Sequence, residues 1–408
     1  MTRYLPALLV CLLCSPPADA EWNARLRVAP AYHRFNPESA FYLPAEISGF
    51  VSRKSLQELE LDYRQGGVNG QLLLRNEYRN GSTPDNDVIL NELYWDTQLL
   101  EQEITLGKKV MGWGVGFGFR PLDVIQQEDR RRLYAAPLEG VPLLAWQGYS
   151  ATGAATLVIA NPTHRKEEEP KDDASLALKL YRIAGDADLH GVVRLSQRQQ
   201  WEMGGGISQV VNDRFEWHSS LLYQHRYQRL INPLADNGDT LLATSDPLQL
   251  ETSSHGIKAL IGASWTALSG WSLLGETWYD DQAYTRKEWD SLMALSRSQR
   301  DLLTQVGVPE EAVFSNIGAS SRYLQSQNLL RWNTLLRLAY EDERIKPSLD
   351  LLYTTEDNGY VVTFNLGYEY DAHRFDFTLR RYGGETDAAY RQLPEQWVGL
   401  LVWQWGVK

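Results

Sequence analysis

An all-β fold is predicted for this chain: a transmembrane, antiparallel, up-and-down β-barrel of about eighteen strands, with a range of roughly 16 to 20. Three observations predict it. Apolar and polar residues alternate with a period of two in one segment after another, which sets successive side chains on opposite faces of a strand. The connections between those segments alternate short and long. Finally, 14 tryptophans and 21 tyrosines in 408 residues supply amphipathic rings of the kind that gather where an apolar surface meets water, as at a membrane interface.

The chain begins with Arg3 in a short charged start, an apolar run from Leu5 to Cys14, and Ala18-Asp19-Ala20 before Glu21. That is the layout of a secretory signal cut after Ala20, so 1–20 is read as a cleavable signal peptide and 21–408 as the barrel. The apolar run is too short for a membrane helix, and Leu12 and Leu13 ahead of Cys14 do not suit a lipid-attachment site. Both cysteines, Cys11 and Cys14, fall inside it. The mature chain then has no disulfide, thiolate metal site or cysteine nucleophile. A net charge of −12 disfavours nucleic acid, because phosphate binding needs a basic face.

The clearest strand is Tyr360 to Tyr370. Tyr360, Val362, Phe364, Leu366, Tyr368 and Tyr370 share one face, while Thr363, Asn365, Gly367 and Glu369 share the other. Aromatics end the apolar face and aliphatics fill it, the profile of a lipid-facing strand about ten residues long. Leu324 to Glu341 reads alike, with Leu330, Trp332, Leu336 and Leu338 opposed to Gln325, Gln327, Arg331, Asn333 and Arg337; so does Arg374 to Tyr382. Segments at Ile257–Ala267, Arg214–Tyr227, Asp188–Ser196, Leu176–Arg182 and Leu59–Arg64 follow, all with ionisable or small polar residues on the second face. Strands then start near 22, 55, 69, 87, 100, 142, 153, 174, 186, 199, 213, 251, 270, 324, 345, 359, 372 and 394. Tight turns near Gly66-Gly67, Leu99-Leu100, Thr152-Gly153, Gly185-Asp186, Asn212-Asp213, Ser269-Gly270 and Asp371-Ala372 alternate with long stretches, as in membrane barrels with short periplasmic turns and long extracellular loops. From Arg286 to Phe314, apolar residues recur at three- and four-residue spacing, which predicts one or two short helices in an extracellular loop. They form either a plug over the mouth or a cap that covers its own apolar stripe.

The second faces gather both charges: Arg194, Arg214, Arg226, Arg331, Arg337, Arg374 and Arg380 with Glu58, Glu60, Asp62, Glu77, Glu92, Glu216, Glu276, Glu369 and Asp376. As pore-lining residues they either select an anionic solute by charge-assisted hydrogen bonds or cross-link neighbouring strands in a hydrated lumen.

The most distinctive stretch is Gly107-Lys108-Lys109-Val110-Met111-Gly112-Trp113-Gly114-Val115-Gly116-Phe117, then Arg120-Pro121-Leu122-Asp123-Val124-Ile125 and the basic run Arg130-Arg131-Arg132. Glycines between large residues suit a loop whose backbone presses against a barrel wall. Folded inward, the loop would present Lys108, Trp113, Arg120, Asp123, Arg130, Arg131 and Arg132 at a constriction. Left outside, the basic run would meet lipopolysaccharide phosphates or its own Glu128 and Asp129. This strand end, the Trp-Gly and the Pro-x-Asp segment resemble the porin-like outer-membrane proteins of the alginate-export type. The resemblance implies a transport barrel with an inward third loop and a polysaccharide or other bulky export substrate.

Catalysis finds no support. His218 and Ser219 are adjacent in a strand and so face opposite ways, the other histidines show no metal spacing, and no phosphate-binding glycine loop opens a helix. No cofactor is expected. The expected protein is an outer-membrane channel or export conduit of a Gram-negative bacterium, for a polar, by preference anionic, solute or polymer. Its partners would be outer-membrane lipid and lipopolysaccharide, the solute itself, and periplasmic or inner-membrane export machinery. The alternatives are an interaction or adhesin protein using its long loops, and a hydrolase sited at the rim.

Overall fold

A computed structural model gives the architecture and describes residues 20–80, 82–128, 132–134, 137–161, 173–236 and 241–407. The segment read as a signal peptide lies outside them except for Ala20. Eighteen strands form one sheet. The first nine are β1 (Glu21–Phe35), β2 (Arg53–Gln65), β3 (Val68–Arg79), β4 (Asp85–Leu99), β5 (Gln102–Lys109), β6 (Val141–Ser150), β7 (Gly153–Ala160), β8 (Ser175–Ala184) and β9 (Ala187–Ser196). The rest are β10 (Gln200–Asn212), β11 (Phe215–Ile231), β12 (Gln249–Thr266), β13 (Trp271–Asp280), β14 (Trp332–Tyr340), β15 (Ile345–Tyr353), β16 (Tyr360–Tyr370), β17 (His373–Gly383) and β18 (Glu395–Val407). Each pairs antiparallel with its sequence neighbours, and β18 pairs with β1 from Ala24–Val407 to Phe35–Glu395. The sheet closes on itself and has no free edge.

Alternation decides which face is which. On β16 the side chains of Phe364, Leu366, Tyr368 and Tyr370 are 38–56% exposed, while Val361 and Thr363, on the opposite face, are 6% and 4% exposed. The same split recurs with Ile257, Ile261 and Trp265 on β12 and Leu176 and Leu180 on β8. An apolar belt this continuous cannot face water, and with every backbone group paired around the ring, the barrel is a transmembrane one.

The connections are sided. Two-residue turns at 66–67, 100–101, 151–152, 185–186, 213–214 and 371–372 lie at one end, the turn end. The long stretches 36–52, 110–140, 232–248, 281–331 and 384–394 lie at the other, the loop end. Gly67 shows what such a turn demands: it sits at φ +82°, and a Cβ there would be 2.2 Å from the Asp96 carbonyl oxygen.

Two expectations are corrected. β14 starts at Trp332, not near 324, because Leu324, Leu329 and Leu330 are buried in the core of the helical connection and cannot continue a lipid-facing row. The inner faces are also less polar than alternation with ionisable residues suggested. Leu143, Val158, Ala177, Val192, Leu222 and Leu260 all point inward and are 0–3% exposed, covered by a loop inside the barrel.

The connection 281–331 carries the two expected helices, α1 (Arg286–Asp301) and α2 (Glu310–Ser321). Thr285 and Glu288 form a capping box that satisfies the first free N–H groups of α1. Trp289, Leu292 and Met293 pack on Phe41 from 36–52, on Tyr390 from 384–394 and on Val361 of β16. Arg300 donates to the Ser39 and Tyr42 carbonyls, and Gln299 to that of Leu241. The apolar stripe is therefore shared with three other connections, so the helices roof the loop end as part of a common cap.

Candidate functional site: a constricted lumen

The loop after β5 (110–140) enters the barrel, and its residues explain the shape. Asp123 Oδ1 accepts the backbone N–H groups of both Trp113 and Gly114, and Arg120 Nε donates to the Gly116 carbonyl at 2.8 Å. These bonds fold the segment into a compact unit that has no room for side chains at its glycines. A Cβ on Gly114 would be 2.4 Å from Arg120 Cβ, and one on Gly116 1.9 Å from the Phe119 oxygen. One flank is apolar: Trp113, Leu122, Val124 and Ile125 pack on the inner walls of β6 to β9 and β11. Leu122 seats against Gly204 and Gly206 of β10, where a Cβ would come within 2.9 and 3.0 Å of it.

The loop then spans the lumen. On the far wall, Glu276 of β13 receives Phe117 N–H at Oε1 and Gly118 N–H at Oε2, both at 2.6 Å, and His218 Nε2 lies 2.8 Å from its Oε1. Phe119 stacks on Trp278 with ring centres 5.9 Å apart and packs with Leu260 and Leu335. The Tyr134 hydroxyl donates to Glu58 on β2. The loop also touches the cap, Gln327 donating to the Glu128 carbonyl at 2.9 Å, and Trp278 of β13, on which Phe119 stacks, donates to Asn328 at 2.9 Å.

Two cavities flank this bar. One of about 600 Å³ lies under the cap, between Phe117, Gly118 and Arg132 of the loop and the walls of β14 to β18 and β1, with Arg380, Thr363 and Asp350 among its lining. The other, about 530 Å³, opens toward the turn end beside Lys109, Trp113, Lys179 and Glu103.

The sequence-predicted residues fall into distinct places. Arg337 is on the inner face, paired with Asp350 at 2.8 and 2.9 Å, its guanidinium 5.1 Å from the centre of the Phe117 ring. Arg380 donates to Thr363 at 2.8 Å and lines the larger cavity. Arg374 pairs with Asp376 and Glu369 at the turn end, Arg194 with Glu202 at 2.7 Å, and Glu216 accepts the Ser208 hydroxyl at 2.9 Å. Glu276 faces the lumen but spends its oxygens on the loop. Trp113, Arg120 and Asp123 hold the loop's shape, and Arg132 lines the larger cavity. Arg130 and Arg131 lie outside the described residues.

Four placements differ from expectation. Arg331 precedes β14, and its guanidinium is 3.2 Å from Asp281 and from the Tyr279 hydroxyl at the loop-end rim. Arg214 sits in the two-residue turn before β11. Arg226 is exposed while Tyr227 is buried, the reverse of the pattern up to Gln224. The slip coincides with His255 on β12, which sits across the ladder from this stretch at φ +64°. Lys108 pairs with Glu139 and the Leu90 carbonyl, holding the loop's stem, while its neighbour Lys109 lies on the inner side over Tyr94.

A charged wall on β1 to β3 was half anticipated: Glu58 and Glu60 are among the inward carboxylates read from the sequence, but their arginine partners are not. Arg27 pairs with Glu60 at 2.7 Å, Arg75 with Glu58 at 2.9 Å and Arg25 with Glu60 at 2.7 Å, the two carboxylates being 1% exposed. Its signal was present in the spacing: Arg25 and Arg27 face Glu60 and Glu58 directly across the β1–β2 ladder. Among the described residues, no group of three His, Cys, Asp or Glu side chains is placed to hold a metal ion, and no helix is long and apolar enough to cross a membrane.

No protein-family model matches the chain, and no curated protein matches it. Among solved structures it is similar to Pseudomonas aeruginosa OccK5 (OpdH), at 8% identity over 95% of this chain and 98% of that one, with a TM-score of 0.53. It is similar also to Acinetobacter baumannii OccAB3, at 9% identity over 96% and 100% of the two chains and a TM-score of 0.53. Pseudomonas aeruginosa OccK11 (OpdR) matches at 9% identity over 95% and 96%, with a TM-score of 0.54. Likeness at this identity is likeness of fold alone.

Proposed function

We propose that this chain is an outer-membrane channel of a Gram-negative bacterium that passes small polar solutes, anions by preference, by passive diffusion. The observation that carries the reading is the loop pinned across a transmembrane barrel by Glu276, which leaves a chamber of about 600 Å³ beside it. That volume lies in the range of sites for single small molecules. The porin-like fold supports the channel and its membrane. The preference for anions is supported by Arg132 and Arg380 at the chamber wall, although Asp350, Glu128 and Glu395 share it. Export of a polymer, implied by the resemblance at residues 106–125, asks for a wider uninterrupted path than this chamber offers, so the small-solute reading is favoured.

In planar bilayers the purified protein is expected to give discrete conductance steps, with a reversal potential under a salt gradient displaced toward the anion. Arg380→Gln should move it toward the cation. No steps from the wild type or from Glu276→Ala, whose loop is unpinned, would refute the channel; an unmoved reversal potential in Arg380→Gln would refute the anion preference alone.

A further inference from the structure

We infer that the outer surface of the barrel at the seam between β17, β18, β1 and β2 carries a binding site for the phosphates of a phosphorylated glycolipid of the surrounding leaflet. The inference rests on the membrane placement proposed above.

Most arginines inside the barrel are paired with carboxylates. At the loop-end rim of this seam three are not. Arg34, Arg53 and Arg381 are all exposed, and among the described residues none has an ion-pair or hydrogen-bonding partner for its guanidinium. Register places them together. Arg34 on β1 and Arg381 on β17 are both directly opposite Trp397 of β18, one on each side, and Arg53 on β2 is directly opposite Tyr32 of β1. Directly opposed residues project from the same face, and neighbouring strands lie about 4.8 Å apart. Three guanidinium groups therefore project outward within the width of four strands.

Their level on the barrel gives the ligand class. Tyr32 and Trp397 are outward rings with centroids 5.3 Å apart, part of the aromatic girdle that marks the boundary between hydrocarbon and headgroups. Cations at that height meet lipid phosphate, and the planar fork of arginine matches phosphate oxygens bidentately. A cavity of about 200 Å³ opens beside them, lined by Arg381, Arg391, Tyr360 and Gln396. Glu38 shares that lining and pairs with Arg391 at 3.5 Å, leaving Arg381 for the ligand. In a chain of net charge −12, three arginines at one rim sector with no carboxylate paired to them among the described residues are a local exception. A nearby anionic lipid supplies the counter-charge that the protein does not.

The test uses the full chain in phosphatidylcholine nanodiscs doped with diphosphoryl lipid A, monophosphoryl lipid A, dephosphorylated lipid A or phosphatidylglycerol, with retained lipid read by native mass spectrometry. The wild type should retain diphosphoryl lipid A most strongly. Arg34→Gln/Arg53→Gln/Arg381→Gln should lose that retention on the order of a hundredfold, the effect of three basic contacts at an anionic surface. Arg182→Gln/Arg214→Gln/Arg344→Gln, at the turn end, should keep it. Should the triple variant fail to fold, Arg381→Lys, which retains the charge but loses the fork, is expected to bind more weakly than the wild type. Excess inorganic phosphate should not displace the lipid; displacement would assign the site to free phosphate and overturn the proposal. Equal retention of phosphatidylglycerol, or equal losses in both triple variants, would overturn it too. Failure to insert into nanodiscs at all would instead refute the membrane placement.

Discussion

Glu276 is the point at which the constriction depends on a single side chain. Its two oxygens accept the N–H groups of Phe117 and Gly118 at 2.6 Å each, in a site where the residue is 2% exposed. Hydrogen bonds to a carboxylate contribute about 1.5–3 kcal/mol each, so Glu276→Ala removes about 3–6 kcal/mol from docking the loop and leaves two buried donors unmet. Packing of Phe119 on Trp278, Leu260 and Leu335 does not involve the carboxylate and keeps part of the attachment. Local opening at Phe117 and Gly118 should therefore become at least about a hundredfold more frequent, since each 1.4 kcal/mol or so is a factor of ten. Hydrogen exchange followed by mass spectrometry on peptides covering 110–125 reads that change directly, with strand peptides of β16 as the unaffected control. Glu276→Gln keeps one acceptor and turns an amide NH₂ toward the other donor, so its exchange should fall between the two. If both amides in Glu276→Ala exchange at the wild-type rate while the barrel remains intact, the loop is held by its apolar flank alone and the pinning argument fails.

Three further outcomes are expected. Burial pushes the Glu288 carboxyl upward, but bonds from the Thr285 N–H and hydroxyl and from Arg229 outweigh it, and its pKa lies below the ordinary 4.5. Its contribution to holding α1 is then complete above that value and is lost as pH falls below it; protease cleavage between 286 and 301 should rise on acidification in the wild type and much less in Glu288→Gln. Leu122→Ala empties a fully buried site against β10 and should loosen the loop by about 2–5 kcal/mol, seen as faster exchange at 120–126 with the barrel's thermal midpoint unchanged. Glu101 sits at φ +63° in the β4–β5 turn, so Glu101→Gly should relieve up to about 1 kcal/mol of left-handed strain and raise the midpoint of heat-induced barrel unfolding; a lower midpoint would count against the turn geometry.

The barrel was legible because its code is local. The alternation at Tyr360–Tyr370 fixes two faces wherever the strand lies, and the turn at Gly66-Gly67 is fixed by two adjacent residues. Local reading failed where a long-range partner overrode the period. Leu324 to Leu330 continue an acceptable strand pattern but are claimed by the cap core. Arg226 is exposed because the alternation slips near His255. Arg331 finds Asp281 at the rim before β14 begins.

By itself, then, the sequence determined that the chain is a ring of some eighteen strands with an apolar outside, tight turns at one end, and a glycine-spaced loop after the fifth strand. Periodicity is a property of neighbours and needs no tertiary partner. Only the tertiary structure decided that the loop crosses the lumen to Glu276, that the helical connection roofs the loop end, and that Arg34, Arg53 and Arg381 meet at one seam. Those facts depend on residues far apart in the chain, such as Phe117 and Glu276 or Arg53 and Arg381, being brought together by ring closure, and no local pattern encodes which of many charged and small residues will be neighbours after the sheet has closed.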